Sequence, residues 1–328
     1  MTGRLIQVSG VIVDLVYRVD AMPAPGTEAI VHGFAIAAGG GFNAMVAARR
    51  MGAAVAHAGT LGTGPFADIA AAALAREGIA QSGTRLSGRD QGLCTVLIDA
   101  GGERSFIAAE GADGVLTDAD LARLRPGAED WLLLSGYALH YAGSRAALVR
   151  WLAARPPRLV FDPSPVIAAI PEAARQAALE AALWITANRE EGAVLTGLAD
   201  PGAMAAALAR GRPAGGGAIL RDGANGCHIA LAGGPARHLP GFPVRAVDTN
   251  GAGDAHTGAF IARLIAGDDP ERAAHLANIC AALSTTQEGP STAPDLTTVL
   301  AAMDTPPEAA IEHATAPKHA TATTRRKP

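Results

Sequence analysis

Asp254 follows directly on Gly251, Ala252 and Gly253 within VDTNGAGDAHTGAFIARLIAG, Val247 to Gly267. Apolar residues at helical spacing, Phe260, Ile261, Leu264 and Ile265, place a helix start near Gly253. The first-turn amides of such a helix lack intrahelical partners, and the small residues before it let a ligand come close. That is a place for an anion, and it suits a phosphoryl group whose charge shifts during transfer. Asp254 beside those amides admits two readings. As a first-turn carboxylate it simply favours the helix start. As a general base it would take the proton of an attacking hydroxyl while the amides hold the transferring group.

A second glycine cluster, AAGGGFNAMVAARRMG from Ala37 to Gly52, joins a strand to a helix expected from Asn43. Gly39, Gly41 and Ala44 satisfy the G-x-G-x-x-A dinucleotide pattern, which also wants an acidic residue about 20 positions on to hold a ribose. No Asp or Glu occurs between Ala44 and Phe66, so an NAD(P)-dependent Rossmann dehydrogenase is disfavoured. Glycines that serve only a tight strand-to-helix turn are the plainer alternative. Lysine occurs only at Lys318 and Lys327. The P-loop lysine, the strand lysine of protein kinases and a Schiff-base lysine therefore have no candidate in the body of the chain. Phosphates bound there must rest mostly on backbone amides and arginines.

The elements that must carry these clusters alternate. Short apolar stretches such as Leu5 to Val11, Trp131 to Ser135, Leu159 to Phe161 and Ala218 to Leu220 are separated by alanine-rich helical ones such as Glu172 to Ala182 and Pro270 to Thr285. This is the pattern of the α/β class: a doubly wound, mainly parallel sheet with helices on both faces. Two segments break the rhythm. Glu28 to Ala37 reads as an exposed strand, and Leu93 to Ile98 turns through Ala100 to Glu103 into Arg104 to Ala108 as a hairpin. They predict a small β-sheet lid, over about residues 14–38 and 92–110, that covers a cleft and excludes water. Alternation at Ala29, Val31 and Ala35 leaves a sheet edge to be covered, which predicts a homodimer through the lids.

Of the 328 residues 49% are hydrophobic and 18% charged, enough for a large buried core, and the net charge of −4 comes without a basic stripe. Nucleic acid is not an expected partner. No run approaches the roughly 18 apolar residues of a membrane span, and the apolar N-terminal stretch is interrupted by Gln7, Asp14 and Arg18, so it reads as a strand and not a signal peptide. Cys94, Cys227 and Cys280 show neither a disulfide framework nor a zinc spacing, which fits the cytoplasm.

DTNGAGD, Asp248 to Asp254, together with GGGFNA, Gly39 to Ala44, resembles the two signatures of the ribokinase-like (PfkB) carbohydrate kinases. The likeness extends to NREE at Asn188 to Glu191 and LRDGANG at Leu220 to Gly226, while GGERSF at Gly101 to Phe106 and LSGYAL at Leu134 to Leu139 resemble uncharacterised bacterial sugar kinases. The resemblance implies a ribokinase-like kinase domain over residues 1–304, followed by a disordered tail, 305–328. It implies ATP-dependent phosphorylation of a hydroxymethyl group on a sugar or sugar derivative, with a nucleoside as the alternative acceptor; a fold that only binds sugar is opposed by the presence of Asp254 and Glu191. By the resemblance Asp254 is the base and the amides of Gly251, Ala252 and Gly253 are the anion hole. Asp14, Gly40, Gly41 and Asn43 hold the acceptor's hydroxyls. Asn188 and Glu191 organise Mg2+ and its waters around the ATP phosphates, Arg221, Gly223 and Gly226 form the nucleotide loop, and Asn278 lies near the adenine. A K+ site would draw on Asp248, Asn250, Ser284 and Gly289. Three features depart from the pattern: no lysine in the glycine-rich stretch, where ribokinase itself commonly has one, Asn250 at the signature's variable position, and a shortened stretch from Gln287 to Pro294.

Overall fold

Successive residues of a strand face opposite sides of a sheet, and here both sides are apolar. Leu5, Leu133, Val160, Trp184 and Ile219 enter one buried cluster, while their neighbours Ile6, Leu132, Leu134, Phe161, Ile185 and Leu220 enter another. A sheet buried on both faces must be covered by helices on both, and it is.

A computed structural model describes residues 3–304; the expected disordered tail lies outside the described residues. In chain order the strands are β1 (Arg4–Gln7), β2 (Val11–Val19), β3 (Val31–Gly40), β4 (Ala54–His57), β5 (Ala80–Gln81), β6 (Leu93–Ile98), β7 (Arg104–Ala109), β8 (Trp131–Ser135), β9 (Leu159–Asp162), β10 (Trp184–Asn188), β11 (Gly217–Arg221), β12 (Gly226–Leu231) and β13 (Ala236–Pro240). Nine of them form one sheet, β13-β12-β11-β10-β9-β8-β1-β4-β5, and four form a second, β3-β2-β6-β7. The large sheet is parallel from β5 to β11, and β12 and β13 close its other edge antiparallel. Strand β13, with the sequence ARHLP, lacks the apolar alternation that betrays a strand, because it is a largely exposed edge.

The stretch expected as one strand, Leu5 to Val11, is two. Strand β1 ends at Gln7, and Val11 opens β2 in the lid sheet. Gly10 makes the crossing: its carbonyl accepts from the Gly41 amide at 3.1 Å, and Asp113 sits so close that a Cβ at Gly10 would come within 2.5 Å of it. The smaller sheet spans 11–40 and 93–109, the first segment a little longer and the second a little shorter than expected.

Two helices bring the glycine clusters together. The Gly41–Arg50 helix and the Ala252–Ile265 helix approach so closely at Gly258 that a Cβ there would lie 2.0 Å from the Ala44 carbonyl oxygen. Among the described residues no single helix is long and apolar enough to cross a membrane.

Candidate active site

The contact between those helices sets Asn43 against Asp254. Asn43 Nδ2 donates to Asp254 Oδ2 at 3.1 Å, and Asn43 Oδ1 accepts from Ser291 Oγ at 2.8 Å, which fixes the orientation of the amide. Asp254 is half-buried at the start of its helix. Loss of hydration raises its pKa to about 7, the charges of Asp162 and Asp14 add to the rise, and Asn43 and Arg221 oppose it. A carboxyl titrating there can take or release a proton near neutrality.

Asp14, on β2, is also buried, and burial raises its pKa to about 6. It presses against Gly39, where a Cβ would come within 2.1 Å of Oδ2, so only glycine fits beside it. Gly40, with φ of 61°, turns the chain into the helix, and a Cβ on Gly41 would meet Gln7 Nε2 at 2.6 Å. Asp14, Gly40, Gly41, Asn43 and Asp254 thus line one corner between lid and body.

Under Gly253 lies a buried network. Arg221 Nη1 donates to Thr257 Oγ1 at 2.6 Å, to Thr186 Oγ1 and Asp162 Oδ2 at 3.0 Å, and to the Gly253 carbonyl at 3.4 Å, while Nη2 reaches Glu191 Oε2 at 3.4 Å. Burial works against the arginine's charge, but Asp162 and Glu191 outweigh it and raise its pKa. Arg221 therefore braces the floor of the site from beneath and does not extend into a nucleotide loop. Asn188 and Glu191 form a reciprocal cap on the Arg189–Thr196 helix: Asn188 Oδ1 accepts from the Glu191 amide, and Glu191 Oε2 from the Asn188 amide, both at 2.8 Å. Burial, then the charge of Asp162, raises the Glu191 pKa to about 7 against the pull of Arg221 and the Asn188 amide. Three carboxyls, Asp162, Glu191 and Asp254, thus share one guanidinium, a deficit of positive charge that a hydrated divalent cation on a nucleotide would fill.

Gly251 caps the helix with φ of 76°, and a Cβ on it would lie 2.1 Å from the Pro290 carbonyl oxygen. The Ala252 amide leans on the Thr249 carbonyl at 3.3 Å; those of Gly251 and Gly253 meet no protein acceptor among the described residues. Two of the four residues of the expected K+ site, Asp248 and Ser284, engage donors of the chain itself. Asp248 Oδ1 accepts from the Asn250 amide at 2.9 Å and from the Arg104 guanidinium, and Oδ2 accepts from the Gly289 amide at 3.1 Å. The Ser284 hydroxyl donates to the Ala281 carbonyl, and the Ser284 carbonyl accepts from Thr292 Oγ1 at 2.6 Å.

Gly223, Gly226 and Asn278 gather elsewhere, around β13. Gly223 opens the turn between β11 and β12, and Gly226, with φ of 93°, approaches the Leu239 carbonyl so closely that a Cβ would lie 2.2 Å from it. Asn278 is buried; its Nδ2 donates to the Leu239 and Pro240 carbonyls at 3.1 Å, and its Oδ1 meets His256 Nε2 at 3.1 Å. The side chain is committed to joining helices and edge strand, so any nucleotide contact there falls to the backbone around it.

The pfkB family carbohydrate kinase profile matches residues 4–297. The chain belongs to the pfkB family. This pfkB kinase is 28% identical over 274 residues to an uncharacterised sugar kinase, YegV, of Escherichia coli K12, covering 79% of this chain and 81% of that one. It is 32% identical over 269 residues to a fructokinase of Klebsiella pneumoniae, covering 76% and 86%. A crystal structure of a putative ribokinase II from E. coli in complex with ATP and Mg2+ superposes with a TM-score of 0.75 at 23% identity, over 92% of this chain and 99% of that one. The fold is the ribokinase fold, with its large sheet and its smaller separate one, and the chain is a sugar kinase.

Four residues of this pfkB kinase's site are given no role by the motifs that contain or flank them. Asp162 ends β9 at the carboxyl edge of the sheet, where α/β folds place ligands, and its position after an apolar strand was the available signal. Tyr137 lies in the first turn of the short helix after β8, and burial followed by the charges of Cys94, Asp254, Glu191 and Asp162 raises its pKa. Arg104 lies in GGERSF and Thr292 in the stretch Gln287 to Pro294, but neither stretch shows that these side chains meet Asp248 and the Ser284 carbonyl.

Proposed function

We propose that this chain transfers the γ-phosphoryl group of ATP to a hydroxymethyl group of a sugar or sugar derivative held between lid and body. The observation that carries the reading is Asp254: a half-buried carboxyl with pKa near 7, fixed by Asn43, beside the open amides of Gly251 and Gly253. The acceptor's hydroxyls are held by Asp14 and Asn43 over the turn at Gly40 and Gly41. Asp254 takes the proton of the attacking hydroxyl, and the first-turn amides receive the phosphoryl charge. Asp162 and Glu191 suit a Mg2+ ion held through water on the nucleotide, which when bound neutralises the phosphate charge. The nucleotide's base lies toward Gly223, Gly226 and β13.

The sheet of β3-β2-β6-β7 is the lid of a kinase unit spanning residues 1–304. Its outer face carries Phe34, Ile36 and Ile107, all exposed, beside Tyr17, and this supports a homodimer through the lids. Buried free thiols at Cys94, Cys227 and Cys280 suit a reducing cytoplasm.

The test is ATP consumption by the purified protein across pentoses, hexoses, sugar acids and nucleosides. Turnover with one sugar class is the expected result. Turnover with nucleosides alone would move the acceptor to that class, and folded protein silent on the whole panel would sink the reading.

A further inference from the structure

The geometry points to Arg104, on the lid, as the fixed cation that orders the loop ahead of Asp254, in the place where a monovalent metal ion would otherwise serve. The inference rests on the kinase reading above. Asp248 opens the turn that carries Asn250 and Gly251, and its carboxylate receives three donors, the Asn250 amide, the Gly289 amide and the Arg104 guanidinium. The carboxylate is 9% exposed and the guanidinium side chain 25%, so water screens the pair little. An alkali ion needs oxygen lone pairs converging on one point. Here the carboxylate already takes three donors, and the Thr292 hydroxyl sits between the Ser284 and Gly289 carbonyls at 2.6 and 3.3 Å. The chain's own donors occupy the oxygens of Asp248, Ser284 and Gly289 that would have belonged to the cage.

Where Arg104 comes from matters as much as where it ends. It stands on β7 opposite Ile98 of β6, which stands beside Arg18 of β2. Arg18 Nη2 reaches Glu288 Oε2 at 3.3 Å, in the neighbouring loop whose Gly289 amide also binds Asp248, so two arginines on one face of the lid grip two joined loops, Arg104 the one at Asp248 and Arg18 the one at Glu288. From the body, Arg50 Nη1 holds that loop through the Ser291 and Ala293 carbonyls at 3.1 and 2.8 Å. Asp248 is neutralised only when the lid is down. Closure over the acceptor and ordering of the Asn250–Gly251 turn are then one event, which ties anion-hole assembly to substrate capture. Arg104 is a positioning residue: it acts on the reacting groups through Asp248 and the turn.

Wild type, Arg104→Gln and Arg104→Lys are compared in KCl and in tetramethylammonium chloride at equal ionic strength, by kcat, KM for ATP, melting temperature and amide exchange in β7. Wild-type kcat is expected to agree within about twofold between the salts. Arg104→Gln is expected to lower kcat by about tenfold or more with a smaller change in KM for ATP, since misplacing a reacting group costs rate before it costs binding. Arg104→Lys, which keeps the charge, is expected to retain more of the rate, and β7 amides to exchange faster in the Gln variant. Wild-type activation several-fold by K+, wild-type kcat in Arg104→Gln, or a Lys variant as slow as the Gln one would each overturn the proposal. A wild type silent with every acceptor in both salts would remove the kinase reading, while β7 exchange would still decide the latch: unchanged protection in Arg104→Gln overturns it.

Discussion

Asn43 and Asp254 meet at 3.1 Å, amide to carboxylate, although 211 positions separate them. The contact exists because Gly258 lets two helices approach to backbone distance, and it joins the two glycine clusters at their functional residues. A neutral donor on a crowded carboxylate does two things: it aims the carboxylate, and it favours the ionised form that a base requires.

Asp254→Asn keeps size and helix start but removes the proton acceptor. A positioned base contributes about 10² to 10⁴ in rate, so kcat should fall by that order while ATP binding persists. Stability should move the other way with pH. The folded pKa of Asp254 lies above its ordinary value, so its contribution to stability is complete below about pH 4 and is lost as pH rises through about 7. The melting temperature of the Asn variant relative to wild type should therefore climb between about pH 4 and 7 and level off above. Near-wild-type kcat would end the assignment of Asp254 as the base.

The acid limb of kcat/KM for the acceptor should have its midpoint near pH 7, with activity rising as Asp254 ionises. Asn43 is one of the two groups that lower that pKa. Asn43→Ala should move the limb alkaline by about one pH unit, the worth of one hydrogen bond to a charged group. A limb that stays in place would mean that the group titrating there is not Asp254.

How far the sequence reaches follows from locality. Residues 251–254 and 39–43 are contiguous, and their helix-start chemistry is written in neighbouring letters. The short apolar runs around Leu5, Leu133 and Val160 were equally plain, because both faces of the sheet are apolar. What could not be read are pairings set by topology: Arg221 under Gly253, Asp162 between Arg221 and Thr257, and Arg104 on Asp248 lie 32, 59 and 144 positions apart. The resemblance put Arg221 in a nucleotide loop, yet it ends β11 with its guanidinium held by Asp162 and Glu191. The expected K+ residues share a signature, but which donors fill their oxygens depends on the lid.

Gly251 and Gly253 look alike in the signature and differ in space. An alanine at Gly251 would need φ of 76° and would press on the Pro290 carbonyl at 2.1 Å. At Gly253 the nearest heavy atom to a Cβ is Arg221 Cζ, at 3.7 Å, an ordinary contact. Gly251→Ala should cost at least about 2 kcal/mol of stability, and Gly253→Ala should leave the melting temperature near wild type. Activity loss in Gly253→Ala without unfolding would then report a Cβ in the path of the phosphoryl group. Equal melting temperatures for the two variants would contradict the described loop.

The outer face of the lid offers the last test. Register places Phe34 beside Tyr17, with ring centroids 4.9 Å apart, and Ile36 beside Leu15, while Ile107 stands across Thr95. Phe34 is 55% and Ile107 62% exposed, an apolar patch that a second lid of the same shape would cover. Light scattering should show a dimer at micromolar concentration, and Phe34→Glu, which sets two carboxylates against each other across a two-fold axis, should give monomers with an unchanged far-UV spectrum. Arg104 and Arg18 project from the opposite face of the same sheet, so loss of the partner should loosen the lid and raise KM for the acceptor before it lowers kcat. A wild type that scatters as a monomer would remove the dimer and leave Phe34 as a residue that the closed lid merely exposes.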